Sequence, residues 1–222
     1  MNTDTKQRKT RRISAEAQRS EILDTASEML AKSGPDGLSV RKLATMLGTS
    51  TMVIYTAFGG KDGLITALYE EAYERMAQMQ ESVPRPANPL EWLARLGAAY
   101  RRFALTFPAY YSLMISSTLP LATTQSDEPV ARGIARQRAY QSIEDCVAAC
   151  QAKAYFDPAL KPADITAVLW ATVHGHASLE LAGFHATHED AERAFQLLTR
   201  SILIGLLTGK GKSYWSKQQV SP

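Results

Sequence analysis

The feature that most constrains the fold of this chain is a helical spacing of apolar residues along almost all of its 222 residues. The first such segment places apolar side chains at the i, i+4, i+7 and i+8 positions of one helix face, namely Ile22, Ala26, Met29 and Leu30. No segment has the alternating apolar and polar pattern of a half-buried strand. The sequence therefore predicts an all-α fold.

Glycine and proline residues divide this pattern into separate helices. Ser33-Gly34-Pro35 ends the first helix, and two short helices follow, from Ser39 to Gly48 and from Thr51 to Phe58. A longer helix is predicted from about Asp62 to Glu81. The remaining helices are predicted at about 89–106, 108–116, 128–155, 163–183 and 189–208.

The positive charge of the chain is concentrated at its N-terminal end. Residues 1–62 hold ten Lys and Arg against seven Asp and Glu, whereas residues 63–222 hold fifteen of each. An anionic partner is therefore expected to meet the N-terminal end. No apolar run follows the basic stretch at residues 6–12, and none reaches the ~20 residues that cross a bilayer, so we expect a cytoplasmic protein without membrane contact.

The two short helices form a compact unit with a tight turn between them. Ser39 can cap the first of them through its hydroxyl, and Gly48 suits the left-handed residue that follows its end. Two helices of about two turns, joined in this way, form the motif that places a recognition helix in a DNA groove. The sequence therefore predicts a helix-turn-helix.

Residues 38–64 resemble the DNA-binding domain of the tetracycline-repressor (TetR) family. The positions that carry the resemblance are Ala44, Leu47, Gly48, Ser50, Ile54, Tyr55, Phe58, Lys61 and Leu64. The resemblance implies a dimeric transcriptional regulator that binds operator DNA. Ala57 departs from the family, which often has an aromatic residue or histidine there, so the operator sequence cannot be inferred from relatives.

The second short helix is expected to read bases, because Leu43 and Leu47 can pack against its Ile54 and Phe58. Threonine hydroxyls on its outer face can bond base edges, and Met52 can touch thymine methyl groups. The resemblance assigns phosphate contacts to Tyr55, Ser39 and Lys61, and Arg41 could contact either a base or a phosphate. The DNA-contacting set is predicted as Ser39, Val40, Arg41, Ser50, Thr51, Met52, Val53, Tyr55, Thr56 and Lys61.

Residues 169–183, which include Trp170 and His174-Gly175, resemble a TetR sub-group whose C-terminal domain is named for its Trp and His-Gly residues. Residues 107–114 are similar to the segment that precedes it in that group. The resemblance implies a helical ligand-binding and dimerisation domain. The predicted organisation is a basic, disordered arm at 1–15, the helix-turn-helix domain at 16–62, the helical domain at 63–212 and a tail at 213–222.

The resemblance also implies a dimer formed by the last two predicted helices. Small residues at spacings of three and four mark one face of the first, namely Ala171, Gly175, Ser178 and Ala182. The facing helix offers an apolar set, Phe195, Leu198, Ile202 and Leu206. Small side chains let helices approach closely, although packing within one chain is an alternative use of the same faces.

A ligand pocket is predicted from the aromatic residues of the helical domain. The candidate lining residues are Trp92, Leu96, Tyr100, Phe103, Phe107, Tyr110, Met114, Trp170 and His174. Such a lining suits a small hydrophobic or aromatic effector, and an ordinary core is the alternative. A ligand held there is expected to tilt the long helix that begins at Asp62 and so to release the DNA.

The function predicted from the sequence is a repressor that a small ligand releases from double-stranded operator DNA, without a cofactor. The alternatives are a metal- or redox-responsive helical sensor and a helical enzyme. No G-x-S-x-G, phosphate-loop or H-E-x-x-H motif favours an enzyme. His185 and His188, with Glu189 or Asp190, could bind zinc or nickel, and the cysteines at 146 and 150 are interpreted as small apolar residues of a helix face.

Overall fold

The computed structural model describes residues 3–115 and 130–218. These residues form ten helices, α1 (Thr3–Gly37), α2 (Val40–Met46), α3 (Thr51–Phe58), α4 (Lys61–Glu81), α5 (Pro89–Thr106), α6 (Pro108–Ile115), α7 (Val130–Ala152), α8 (Pro162–Leu181), α9 (His188–Leu206) and α10 (Gly209–Gln218). An isolated antiparallel bridge joins Phe156 and Leu207. The all-α fold is confirmed. Over these two stretches, no helix is both long and apolar enough to cross a membrane.

The helices belong to two compact units. The first contains the described residues within Met1–Tyr73 and Ala109–Arg132, and the second those within Glu74–Pro108 and Gly133–Pro222. The division therefore falls inside α4, after Tyr73, whereas the sequence-based division ends the first domain at 62. Most of α6 joins the first unit, where Tyr110 Oη donates to Asp24 Oδ1 at 2.8 Å. Local periodicity does not reveal this contact, because the two residues are far apart in the chain.

The backbone of α1 differs from the predicted disordered arm. Its helix begins at Thr3, so residues 3–15 are helical. This segment contains neither glycine nor proline, and extending an existing helix by one residue costs far less than starting one. The predicted break after Ser33 is present, because Gly34 has φ 65° and ψ −177° inside the helical span.

Local caps fix the short helices of the first unit. Ser39 Oγ accepts a hydrogen bond from the Lys42 backbone N–H at 3.4 Å and caps α2. Gly48, after the end of α2, has φ 61°, and Gly59 caps α3 with φ 75°. Side chains with a Cβ rarely adopt this left-handed backbone, so both helices end where a glycine follows.

The core of the second unit joins α5, α7, α8 and α9. Leu90, Leu96 and Phe156 are buried in it, together with the cysteines at 146 and 150. At one side of this cluster Arg101 donates to both oxygens of Glu180, at 2.6 and 2.8 Å, and also pairs with Glu192. The first of these ion pairs is nearly enclosed, since Glu180 is 5% exposed and Arg101 12% exposed.

Helix α10 lies in the region that the sequence analysis divides between a helical domain and a tail. Thr208 Oγ1 accepts from the Gly211 N–H at 3.1 Å and donates to the Ala154 carbonyl at 2.7 Å. Tyr214 stacks on Tyr155 with ring centroids 4.8 Å apart. The helix was not predicted from the sequence because its two glycines lower its helix propensity. Tertiary packing stabilises it in the folded chain.

Candidate nucleic-acid interface and ligand cavity

Helix α3 separates an inner face from an outer face. Ile54 is fully buried and Phe58 is 8% exposed, so these two side chains attach the helix to the first unit. Met52 is 71% exposed and Tyr55 is 54% exposed, and the threonines at 51 and 56 are exposed beside them. The outer face thus offers hydroxyl and methyl groups, which are the groups that read base edges in a major groove.

The turn between α3 and α4 accommodates Tyr55. A Cβ added to Gly60 would lie 3.3 Å from Tyr55 Cε1, and Gly60 has φ 126°. The tyrosine ring therefore lies over a position that only glycine fills without strain. Lys61 begins α4 immediately afterwards and is half-buried. A helix N-terminus and a lysine together favour an anion at this point.

The structure agrees with most of the predicted DNA-contacting positions in exposure and departs at one. The exposed members are Ser39, Arg41, Ser50, Thr51, Met52, Tyr55 and Thr56, and the half-buried members are Val53 and Lys61. Val40 is 9% exposed and is one of the buried residues of α2, so its side chain is a core residue instead of a DNA contact. The sequence pattern misses this because a residue directly after an N-cap can face either way.

Thr45 is an exposed candidate that the sequence analysis omitted. It lies four residues after Arg41 on α2, and its hydroxyl donates to the Arg41 carbonyl at 3.0 Å. The two side chains therefore share one face of the helix. Helical spacing from Arg41 is the signal that could have identified it.

The second unit contains a cavity of about 280 Å³. It is lined by Leu93, Ala94, Leu96, Gly97, Tyr100, Ile143, Leu169, Trp170, Thr172, Val173, Glu192, Phe195, Gln196, Thr199, Arg200, Ile202, Leu203 and Trp215. These residues come from α5, α7, α8, α9 and α10. The lining is mostly apolar with a few polar groups, which is typical of a small-molecule site.

Three of the predicted pocket residues, Leu96, Tyr100 and Trp170, line this cavity. Trp92 and Phe103 are buried but are not among its lining residues. The others also lie elsewhere: Phe107 packs against the Arg75 guanidinium, His174 Nδ1 pairs with Tyr100 Oη at 3.0 Å, and Tyr110 and Met114 belong to the first unit. The cavity therefore lies nearer the start of α5 than the predicted residues do, because an aromatic cluster does not by itself distinguish a core from a cavity.

Sequence reasoning missed several lining residues of α9 and α10, including Thr199, Arg200 and Trp215. Helical spacing offered a signal for α9, since Phe195, Thr199 and Ile202 lie at intervals of four and three. No comparable signal pointed to Trp215, because its helix was not predicted.

The outward face of α8 carries the predicted small residues. Ala171, Gly175 and Ala182 are exposed and Ser178 is half-buried, and a Cβ on Gly175 would have no neighbouring atom within 4 Å. Exposed apolar residues accompany them, with Leu179 at 48% exposure. This face of α8 is therefore open in the single chain.

Three of the four residues predicted for the interface face of α9 pack inside the chain itself. Phe195 is 7% exposed, Ile202 lines the cavity, and Leu206 packs against the core, while Leu198 is half-buried. The outward apolar residues are instead Leu197, at 68% exposure, and Ile204, at 36%. Both faces of this helix carry leucine and isoleucine, so the apolar pattern alone could not tell inside from outside.

The geometry gives no support to the metal- and redox-sensor alternatives. Over residues 3–115 and 130–218, no group of three or more His, Cys, Asp and Glu side chains is placed to hold a metal ion. The cysteines at 146 and 150 are fully buried, and Cys146 Sγ donates to the Pro89 carbonyl at 3.1 Å. A hydrogen bond with Cys150 and burial both raise the pKa of the Cys146 thiol, so it stays protonated and unreactive.

The first unit thus has the geometry of a helix-turn-helix protein, and the second is a helical unit with a mostly apolar cavity that is partly open to solvent. The model of the N-terminal domain of bacterial regulatory proteins of the tetR family matches residues 22–68. The model of the tetracyclin repressor-like C-terminal domain matches residues 93–202. Together the two models match most of the chain, which belongs to the TetR family. The finer assignment to the Trp and His-Gly sub-group stays a prediction.

Sequence and structural relatives agree with this family. The HTH-type transcriptional regulator Rv1816 of Mycobacterium tuberculosis is 27% identical over 113 residues, which are 50% of this chain and 48% of that protein. The chain therefore spans about half the length of the curated relatives it matches. A Rhodococcus protein of unknown function superposes with TM-score 0.71 at 25% identity, covering 86% of this chain and 95% of that one.

The TetR family transcriptional regulator PfmR of Thermus thermophilus superposes with TM-score 0.66 at 21% identity, covering 83% of this chain and 98% of that chain. At this identity the likeness concerns the fold alone. It extends over both units of the chain.

Proposed function

We propose that this protein is a sequence-specific DNA-binding transcriptional regulator, a repressor that binds its operator as a homodimer and leaves it when a small apolar ligand binds. The observation that carries the proposal is the outer face of α3. It presents hydroxyl and methyl groups on a helix whose inner face is fixed by Ile54 and Phe58. A rigid helix with an exposed polar face is what direct reading of a major groove requires.

Base reading is assigned to Thr51, Met52 and Thr56, which are exposed on α3. The threonine hydroxyls can donate to or accept from base edges, and the Met52 side chain can pack on a thymine methyl group. Tyr55 and the N-terminus of α4 at Lys61 are assigned to phosphates, which fix the orientation of the helix without selecting sequence.

A homodimer is proposed through the outward faces of α8 and α9. Exposed apolar side chains on these faces, Leu179, Leu197 and Ile204, would be removed from water in a two-fold contact. Gly175 and Ala171 allow a close approach of the two copies of α8. Two copies would also place two recognition helices on one operator, about 34 Å apart or a multiple of that spacing.

The cavity of the second unit is proposed as the effector site. It is lined by four helices of the core and by α10, is partly open to solvent, and has mostly apolar walls. Helix α4 belongs to both units, because the division falls after Tyr73. A ligand that favours another position of α4 would change the separation of the recognition helices, with a coupling of about 1–3 kcal/mol, or roughly 5- to 150-fold in operator affinity.

The first experiment is an electrophoretic mobility shift with the purified chain and the DNA upstream of its own gene. The expected result is a shift that persists with excess unrelated DNA. The test variant is Met52→Glu, which places a negative charge on the exposed face of α3 and leaves the buried residues of that helix unchanged. A Met52→Glu variant that binds the same fragment as tightly as the natural chain would contradict DNA reading by α3.

The second experiment tests ligand release. A compound that stabilises the chain in a thermal-shift screen is titrated by calorimetry with and without saturating operator. Thermodynamic linkage requires operator DNA to weaken ligand binding by the same factor by which the ligand weakens operator binding. Equal ligand affinities in the two titrations would show that the compound is not an inducer.

A further inference from the structure

A single arginine of α7 holds the part of α4 that belongs to the second unit. Arg138 donates through Nε and Nη2 to the two carboxylate oxygens of Glu81, at 3.0 and 2.8 Å, and through Nη1 to Glu74 at 2.6 Å. Glu74 is the first residue of α4 in the second unit, and Glu81 is the last residue of the helix. One guanidinium therefore spans the second-unit part of α4 and fixes it to α7.

The opposite face of α7 belongs to the cavity. Residues two apart in a helix lie about 200° apart around its axis, so Arg138 and Tyr140 point to opposite sides. Tyr140 stacks on Trp170, which lines the cavity, with ring centroids 4.3 Å apart. Ile143 lies three residues after Tyr140 on the same face and lines the cavity itself. Helix α7 thus has α4 against one face and the cavity against the other.

The geometry of the Arg138 contacts distinguishes them from an ordinary exposed ion pair. The three side chains are 36 to 45% exposed, so their charges alone add little stability. However, the planar fork of the guanidinium meets both oxygens of Glu81, and its remaining nitrogen meets Glu74 two turns earlier. The hydrogen bonding from Arg138 also lowers the pKa of Glu81, so this carboxylate stays ionised at neutral pH. Such a three-point contact fixes both the position and the rotation of α4 against α7.

We propose that Arg138 couples the cavity to the recognition helices. A ligand that displaces Ile143, or the stacked rings of Trp170 and Tyr140, moves α7. The Arg138 fork carries that movement to α4, which continues into the first unit as the same helix. Arg138 does not line the cavity, so it is a positioning residue. This inference rests on the proposed function, in which the cavity is the effector site and α4 sets the separation of the recognition helices.

The test fills the cavity with side chains in place of a ligand, so it does not require a known effector. Thr199→Phe adds a ring to the cavity wall from α9. Gly97→Leu fills the cavity from α5, where the first side-chain carbon would lie 3.8 Å from Val173 Cγ2, an ordinary contact distance. Each is combined with Arg138→Met in a double-mutant cycle. The affinity of every member of the cycle is measured by titration of the DNA upstream of the gene.

Two further variants separate coupling from stability. Glu81→Gln breaks the same fork from the side of α4 and is expected to act as Arg138→Met does. Arg95→Met is the control, because it removes an exposed ion pair with Glu91 whose two members lie on one helix. A merely structural role for Arg138 would lower operator affinity by the same factor whether the cavity is filled or empty. The interaction between the two substitutions therefore measures the coupling.

The expected result is that each filling substitution weakens operator binding about fivefold or more in the natural chain and in Arg95→Met. In Arg138→Met and Glu81→Gln, the same filling changes the affinity by no more than about twofold, the range within which independent substitutions add. Equal weakening in all four backgrounds would overturn Arg138 as the link and leave the effector site in place. Unchanged binding by both filling variants of the natural chain would overturn any coupling of the cavity to DNA. Absence of specific binding by the natural chain would overturn the proposed function itself.

Discussion

The two units of the molecule differ in how tightly their surfaces are defined by short-range features of the chain. In the first unit, Ser39, Gly48 and Gly59 begin or end two helices of fewer than ten residues, and those helices then have one inner and one outer face. In the second unit, α5 and α9 also begin at side-chain caps, Asn88 and Thr187, but α7 and α8, of 23 and 20 residues, carry apolar side chains on several faces, and tertiary packing decides which face is buried. Where local signals leave a short helix with one outer face, the sequence predicts which residues are exposed. Where packing between long helices decides burial, the sequence alone does not predict the exposed residues.

The largest expected effect concerns the enclosed ion pair of the second unit. Arg101→Met removes both hydrogen bonds from the nearly buried Glu180 carboxylate and leaves it only the side chains of His176 and His188, each 3.5 Å away. Removing one member of a buried pair costs at most about 3–5 kcal/mol of unfolding free energy. Urea unfolding at one fixed protein concentration measures the loss. The control on the same helix is Arg95→Met, whose exposed pair with Glu91 is worth less than about 1 kcal/mol.

The pH dependence of the same pair gives a second reading. Arg101 holds the pKa of Glu180 below its ordinary value through its hydrogen bonds. The ionised carboxylate therefore contributes its full share of the folding stability at every pH above that ordinary pKa. It is lost as the pH falls through the lowered folded-state pKa. The difference between the natural chain and Arg101→Met is therefore largest at neutral pH and shrinks on acidification below about pH 5. A difference that grows in acid would show that the pair does not act through the Glu180 charge.

The next effect tests the outward face of α9, whose exposed residues differ from most of those that the apolar pattern predicted. Leu197→Ala removes an exposed leucine from the proposed interface and should weaken the dimer by about 2 kcal/mol, roughly 30-fold in dissociation constant. Sedimentation equilibrium measures it. Leu160→Ala is the control, since Leu160 is 45% exposed and lies between α7 and α8, outside the proposed interface. Dimers of equal strength in both variants would place the interface elsewhere.

The fold could be predicted from the sequence wherever a local signal fixed it. Pro89 and Pro108 mark the first residues of α5 and α6, and the glycines at 48 and 59 follow the ends of α2 and α3. Most DNA-contacting candidates followed from the same signals, because a two-turn helix with buried residues four apart has only one outer face. Val40 is the exception, since its burial depends on packing against other helices.

The rest could not be predicted, because it depends on contacts between distant parts of the chain. Trp215 reaches the cavity through the contacts of Thr208 with Ala154 and of Tyr214 with Tyr155, across more than fifty residues. The Tyr110 to Asp24 hydrogen bond likewise brings α6 to the first unit. Single-sequence periodicity contains no information on such pairs.

A smaller effect is expected at the base-reading face of the first unit. Thr51→Ala removes one exposed hydroxyl and should lower discrimination at particular base pairs by about 1 kcal/mol, without a change in stability. Binding to a library of randomised operators measures it. Thr106→Ala is the control, because this exposed threonine ends α5 in the second unit. An unchanged base preference for Thr51→Ala would remove Thr51 from the reading set.

The smallest effect separates positioning from reading within the first unit. Lys61 begins α4 and is proposed to hold a phosphate, so Lys61→Ala should weaken all operators alike and change sequence preference little. Each phosphate contact releases counterions, and the slope of log affinity against log salt concentration should become shallower by about one. Lys32→Ala is the control, since Lys32 is an exposed lysine of the same unit that pairs with Glu28. If both variants keep the natural slope, Lys61 touches no phosphate, and the N-terminus of α4 does not face the DNA backbone.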